Sequence, residues 1–92
     1  MIGKLKGIID SISDDSLLLD VNGVCYLVFL SARSLQQLPA VGEAIAIFTE
    51  THVREDHIHL YGFLSASDKR WFTLLCTVQG VGAKMALGIL SS

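Results

Sequence analysis

The chain has 92 residues, a formal net charge of −2 and 51% hydrophobic residues, with a mean hydropathy of +0.53. This length is enough for one domain, or for one domain plus part of another. A pI of about 5.8 argues against a generic basic nucleic-acid binder unless the charges are segregated by face. The apolar content predicts surface that another chain covers; an apolar-rich core is the alternative.

Neither a membrane span nor a reactive thiol is indicated by the sequence. The longest apolar run, Val24–Leu30, has seven residues, whereas a membrane helix needs about 20. We therefore expect no membrane partner. Cys25 and Cys76 lie within apolar segments, which predicts buried free thiols and a location in the reducing cytoplasm.

Residues up to Phe63 have the pattern of a small β domain. Asn22-Gly23 is a strong hairpin signal because both turn positions favour positive φ. Val24–Leu30 is apolar on both faces, so we expect it to be central or buried on both sides. The predicted elements are strands Ile2–Ile12, Ser16–Val21, Val24–Leu30, Ala44–His52 and His57–Phe63, with a helical connection over Ser31–Leu38.

This order of elements is typical of the OB-fold, a five-stranded Greek-key barrel with a short helix between its third and fourth strands. A small open barrel of another topology is the alternative. The fold class expected for the chain is therefore mainly β, with a helical part at the C-terminal end.

Two helices are predicted after Phe63. Ser65 can cap the first, with Asp68 three positions on. Apolar residues then recur at helical spacing and predict one packed face, with Trp71 in the core. That face consists of Trp71, Leu74, Leu75 and Val78.

The second predicted helix, Ala83–Leu90, places Ala86, Leu87 and Leu90 on one side. Gly80-Val81-Gly82 separates it from the first helix. Two short helices bury little by themselves, so we expect this segment to be the start of a truncated domain.

The glycine turn has the features of an anion site. Gly80 and Gly82 permit unusual backbone angles and close approach by another molecule. The first amides of the following helix lack intrahelical partners, and Lys84 adds a positive charge beside them. A Walker A loop is excluded because Met85 follows Lys84 and a helix precedes the turn. The alternative is a simple helix stop with a solvated lysine.

Three segments in this order resemble the RuvA family, the Holliday-junction-binding subunits of the bacterial RuvAB branch-migration machine. They are "MIGKLKGII" at the N-terminus, "VREDHIHLYGF" at Val53–Phe63 and "GVGAKMALGIL" at Gly80–Leu90. The resemblance implies an OB-fold barrel over residues 1–63 and the first helix-hairpin-helix motif of a truncated second domain over residues 64–92. A second such motif and the C-terminal domain that contacts RuvB are missing from this sequence.

The resemblance also implies roles for individual residues. Val81 would seat the hairpin in its own small core, and Glu55 with Asp56 would form an acidic pin near the centre of the junction. Ala83 stands where the family often has proline. Alanine at this position makes the helix start less rigid. The implied phosphate-binding residues are Gly80, Gly82, Ala83 and Lys84.

The implied activity is non-catalytic, structure-specific and sequence-independent binding of four-way junction DNA in recombination and DNA repair. The implied assembly is a homotetramer, or an octamer on DNA, that serves the ATP-hydrolysing motor RuvB. No cofactor or metal is expected. One alternative is an oligomerisation or scaffold fragment with an incomplete DNA site.

A second alternative is a generic OB-fold that stacks single-stranded bases on barrel aromatics. These aromatics are Tyr26, Phe29, Phe48, Tyr61 and Phe63, and we expect most of them to be buried.

Three histidines raise the question of a metal site. They are His52, His57 and His59. No cysteine and few well-placed carboxylates complete a four-ligand set with them.

Overall fold

The computed structural model describes residues 2–91. Its strands form a closed barrel in the order β1-β2-β3-β5-β4, and β1 pairs with β4 to complete the closure. Three helices accompany the strands within the described residues. The elements are β1 (Lys4–Ile12), β2 (Ser16–Val21), β3 (Val24–Phe29), α1 (Ala32–Gln36), β4 (Ala44–Val53), β5 (Ile58–Phe63), α2 (Ala66–Cys76) and α3 (Ala83–Leu90).

This topology confirms the predicted OB-fold followed by a helical part. The β3–β5 pair is parallel, with Phe29 opposite Tyr61, whereas the other strand pairs are antiparallel. The predicted hairpin turn is also present, with φ of 52° at Asn22 and 91° at Gly23. The Gly23 amide donates to Asp20 Oδ1 over 2.8 Å, which holds this turn closed.

The barrel core receives apolar side chains from every strand. Alternation along the strands sends one set of residues inward and the other outward. Ile9, Leu19, Val28 and Ile47 are completely buried. Because the interior is filled by side chains, the barrel is a packed core rather than a channel.

The expectation that the third strand is buried on both faces was wrong. Val24 is 56% exposed and Leu27 is 48% exposed, whereas Val28 is fully buried. A closed barrel has one interior, so the outward residues of β3 face solvent whatever their hydrophobicity. The same geometry leaves the Cys25 thiol exposed and Cys76 half-buried, so the prediction of buried thiols was wrong for Cys25.

The helices α2 and α3 form a hairpin with a separate small core. Ser65 caps α2, since its Oγ accepts from the Asp68 amide at 3.1 Å, as predicted. Phe72 and Ala86 are fully buried together with Phe63 from the end of β5. The helical core is therefore built on a barrel residue.

The predicted packing face of α2 was wrong. Trp71, Leu74 and Val78 are 57%, 54% and 53% exposed, and only Leu75 of the predicted set packs on the core. Phe72 occupies the interior instead, with its ring centroid 4.9 Å from that of Phe63. For α3 the predicted side is confirmed, because Ala86 is buried and Leu87 and Leu90 pack against it. Within residues 2–91, no helix has the length and hydrophobicity needed to cross a membrane.

Candidate nucleic-acid interface

The glycine turn joins α2 to α3 through backbone that only glycine adopts easily. Gly80 has a φ of +87°, in the left-handed region, whereas Gly82 has a φ of −89°. Between them the Val81 amide donates to the Val78 carbonyl over 3.1 Å, and the Val81 side chain packs on the core of Phe63 and Phe72. The half-buried Val81 side chain thus anchors a turn whose two glycines are exposed.

The N-terminus of α3 lacks a side-chain cap. Gly82 is the N-cap residue, and the first intrahelical bond runs from the Ala86 amide to the Gly82 carbonyl over 3.0 Å. Consequently, the amides of Ala83, Lys84 and Met85 have no acceptor among residues 2–91. These amides and the helix dipole favour an anion, and the exposed Lys84 supplies a formal charge in the same turn.

The tip of the β4–β5 hairpin carries two exposed carboxylates, Glu55 and Asp56. The Arg54 amide donates to the His57 carbonyl over 2.8 Å and closes the turn. Asp56 Oδ1 lies 2.8 Å from His57 Nδ1, and this hydrogen bond lowers the pKa of the Asp56 carboxyl. With two carboxylates against the single positive charge of Arg54, the tip has a negative formal charge.

An aromatic strip runs from this acidic tip toward the helical hairpin. It consists of His57 just before β5, alternate residues of β5 and the rings beside them. The members are His57, His59, Tyr61, Phe29, His52 and Phe72. The ring centroids of His57 and His59 are 4.0 Å apart, and those of Tyr61 and Phe72 are 5.3 Å apart. Partial burial raises the pKa of the Tyr61 hydroxyl.

A groove of about 490 Å³ lies between the barrel and α3. Part of the aromatic strip forms one wall, and Lys84 lies on the helical side. The groove brings residues of β5 and of α3 into one concave surface. Its lining residues are Asp14, Asp15, Phe29, Leu30, Ser31, Ala32, His59, Tyr61, Lys84, Leu87, Gly88 and Ser91.

The histidines and cysteines form no recognisable reactive centre. Across residues 2–91, no three His, Cys, Asp or Glu side chains are arranged to hold a metal ion. Partial burial raises the pKa of the Cys76 thiol, which works against a thiolate nucleophile at neutral pH.

Sequence reasoning missed the groove and the contributions of Asp14 and Asp15. A partial indication was available, since His57, His59, Tyr61 and Phe63 alternate along one strand and must share a face. The parallel pairing that places Phe29 beside Tyr61, and the approach of α3, have no local sequence signature.

Comparison with known proteins assigns this chain to a family. Residues 1–62 match the model of the RuvA N terminal domain. Among curated relatives, the Holliday junction branch migration complex subunit RuvA of Methylobacterium nodulans is 62% identical over 91 residues, covering 99% of this chain and 44% of the relative. The protein of the same name from Allorhizobium ampelinum is 59% identical over 92 residues, covering all of this chain and 45% of the relative.

The chain thus spans less than half the length of the curated relatives it matches. The family match covers the whole barrel up to Gly62, and the relatives extend the similarity through the glycine turn and α3. The chain belongs to the RuvA family.

Proposed function

We propose that this chain binds four-way junction DNA without reading its sequence, as part of a RuvA subunit acting in recombination and DNA repair. The observation that carries this proposal is the uncapped N-terminus of α3, with Lys84 beside it. Gly80 and Gly82 let a phosphate approach the amides from Ala83 onward closely. Contacts of this kind position a protein on the DNA backbone and carry no sequence information directly.

The acidic pin supplies selectivity through repulsion. Carboxylates at Glu55 and Asp56 repel phosphates, so an ordinary duplex lying across the tip is disfavoured. At the open centre of a junction the strands diverge, and the same charges help to keep them apart. The hydrogen bond from His57 lowers the pKa of Asp56 further below the ordinary carboxyl value, which is compatible with this role.

One glycine turn is too weak to bind DNA alone. Two charge-assisted hydrogen bonds contribute on the order of 1.5–3 kcal/mol each, and the helix dipole adds roughly 0.3–1 kcal/mol. Association costs about 4 kcal/mol or more, which leaves an affinity that is millimolar at best. A homotetramer, or an octamer on DNA, would repeat the contact with matching symmetry and gain avidity.

Exposed apolar side chains support assembly with further protein surface. Val24 and Leu27 on β3, and Trp71 and Leu74 on α2, are each close to half exposed or more. The proposed organisation is a barrel domain over residues 1–63 and the start of a second domain over residues 64–92. In the whole protein a further C-terminal domain would engage RuvB, which hydrolyses ATP, while this subunit is non-catalytic and acts in the bacterial cytoplasm.

The test is a salt titration of binding to a four-way junction, with a linear duplex of equal phosphate number as competitor. Junction preference together with an affinity that falls steeply with salt is the expected result. Lys84→Ala should weaken binding and reduce the salt dependence, and Gly82→Val should block the amides. Lys6→Ala, which removes an equal charge on β1, is the matched control and should have a smaller effect.

Light scattering on the same samples measures the oligomeric state. A tetramer whose binding is indifferent to Lys84→Ala and Gly82→Val would contradict the proposal and identify the chain as a scaffold. Equal affinity for junction and linear duplex would contradict the selective role of the pin.

A further inference from the structure

The groove between the barrel and α3 has the size and shape of a small-ligand site. Its volume of about 490 Å³ lies within the range of roughly 300–1,000 Å³ found for such sites. It is partly open to solvent, and Lys84 from the first turn of α3 belongs to its lining. The function proposed above uses Lys84 at its edge but leaves the interior of the groove without a role.

Three aromatic rings form the barrel wall of this groove. The Phe29 centroid lies 4.8 Å from that of His59 and 6.0 Å from that of Tyr61. His59 Nδ1 lies 3.4 Å from the Tyr61 hydroxyl, which orients both rings. The rings are half-buried, so their positions are held by packing while part of each remains accessible. A flat aromatic ligand can stack on such a wall.

Charged groups of opposite sign lie on different elements of the groove. Lys84 projects from the first turn of α3, and Asp14 with Asp15 occupy the β1–β2 turn. The Leu30 amide donates to the Asp15 carbonyl over 3.1 Å, which fixes that turn beside the end of β3. The exposed carboxylates accept hydrogen bonds, whereas Lys84 attracts an anion.

A nucleotide combines the features that complement this groove. Its base is flat and stacks, its phosphate pairs with lysine, and the amino group of cytosine, adenine or guanine donates to a carboxylate. Thymine lacks an exocyclic amino group. A simple anion would leave the aromatic wall unused, and a cationic side chain would be repelled by Lys84.

We propose that the groove receives one unpaired base displaced from the junction crossover, with preference for bases that carry an amino group. The base stacks on Phe29, His59 and Tyr61, its phosphate lies at Lys84, and its amino group faces Asp14 and Asp15. This inference rests on the proposed junction binding for its biological setting. The groove itself can be tested without a junction.

The test compares oligo-dC with oligo-dT, each eight nucleotides long, by competition anisotropy on the 92-residue chain. One charge-assisted hydrogen bond corresponds to about tenfold, so oligo-dC should bind about tenfold more tightly. Asp14→Ala combined with Asp15→Ala should bring the dC/dT ratio close to one. Asp10→Ala with Glu43→Ala removes two exposed carboxylates outside the groove and should leave the ratio unchanged.

Phe29→Leu tests the aromatic wall, and it should weaken both oligonucleotides about tenfold while leaving their ratio intact. Circular dichroism verifies that this variant folds; if it does not, the Asp14/Asp15 variant decides the matter alone. An equal affinity of the unmodified chain for oligo-dC and oligo-dT, or a ratio insensitive to the Asp14/Asp15 variant, would overturn the inference.

The intact junction separates this inference from the proposed function. Junction preference without selectivity for oligo-dC would rule out the base site and support junction binding. Selectivity for oligo-dC without junction preference would support the base site and rule out selective junction binding. If both hold, a junction with unpaired cytosines at the crossover should bind more tightly than one with unpaired thymines.

Discussion

The barrel and the helical hairpin reach stability in different ways. The buried core of the barrel receives at least one side chain from each strand, and the sheet closes on itself. The helical core has Phe72 from α2, Ala86 from α3 and Phe63 from the barrel. The barrel completes its own interior, whereas the helical hairpin needs a barrel residue to complete its core.

The two parts of the proposed DNA site lie on these two units. The barrel is the stable platform that holds the acidic pin and the aromatic strip. The glycine turn and Lys84 belong to the hairpin, whose position depends on few buried contacts. We therefore expect mutations in the helical core to weaken phosphate binding more than they disturb the barrel fold.

The largest expected effect comes from Phe72→Ala. Removing this fully buried ring leaves a cavity between the barrel and both helices, and typical costs are about 3–5 kcal/mol. Hydrogen exchange should show lost amide protection in α2 and α3 with protection retained in the strands. Trp71→Ala, next to it but 57% exposed, is the control and should change little. Simultaneous loss of strand protection would contradict the division into two units.

A smaller effect is expected inside the barrel from Gly62→Ala. A Cβ at this position would lie 2.5 Å from Val28 Cγ1 and 2.9 Å from Ile47 Cγ2. Such overpacking costs about 1–3 kcal/mol, and it should lower the denaturation midpoint of the whole chain. Gly3→Ala meets nothing within 4 Å and provides the control. An unchanged midpoint for Gly62→Ala would mean that the barrel core adapts more freely than its packing indicates.

The two glycines of the turn should respond differently to alanine. Gly80 has a φ of +87°, so Gly80→Ala should destabilise the hairpin by about 1–2 kcal/mol. Gly82→Ala has an ordinary φ and open space around the new Cβ, so its folding cost should be small. Thermal unfolding of α2 and α3 measures both. Equal losses for the two variants would contradict the backbone argument.

The smallest effect concerns the acidic pin. His57→Ala removes the hydrogen bond that lowers the pKa of Asp56, so this pKa should rise toward the ordinary carboxyl value. Because the folded-state pKa is depressed, the associated stability is present above the unfolded-state pKa. It is lost as pH falls through the folded-state pKa.

Carbon-detected NMR titration of Asp56 gives the pKa directly. The pin belongs to the barrel, so Phe72→Ala should leave this pKa unchanged while it releases the helices. A shift of the Asp56 pKa in Phe72→Ala would show that the two units are coupled.

Much of the fold was predictable because its determinants are local. Asn22-Gly23 encodes a turn with positive φ, Ser65 caps α2, and Gly80 interrupts the helices. The exact range of α3, Ala83–Leu90, also follows from short-range periodicity and the glycine before it. The positions of Gly82, Lys84, Glu55 and Asp56 on exposed turns could be anticipated for the same reason, while their roles in binding stay predictions.

Burial on α2 and on β3 could not be predicted in the same way, although the packed side of α3 was. Apolar residues occur on more than one side of α2. Periodicity alone therefore predicts Trp71 as the core residue, whereas the structure buries Phe72. On β3, continuous hydrophobicity indicated two buried faces, but a single closed sheet covers only the inner one. In both cases the outcome depends on what packs against the element, which local sequence does not specify.

By itself, the sequence determined the order of strands, turns and helices, since backbone preferences and capping act over a few residues. Tertiary structure alone decided which apolar side chains of α2 and β3 are buried and which lie at the surface. It also created the groove, by pairing β3 with β5 in parallel and placing α3 over Phe29 and Tyr61. Contacts between residues far apart in the chain depend on the closure of the whole barrel, and no short segment contains that information.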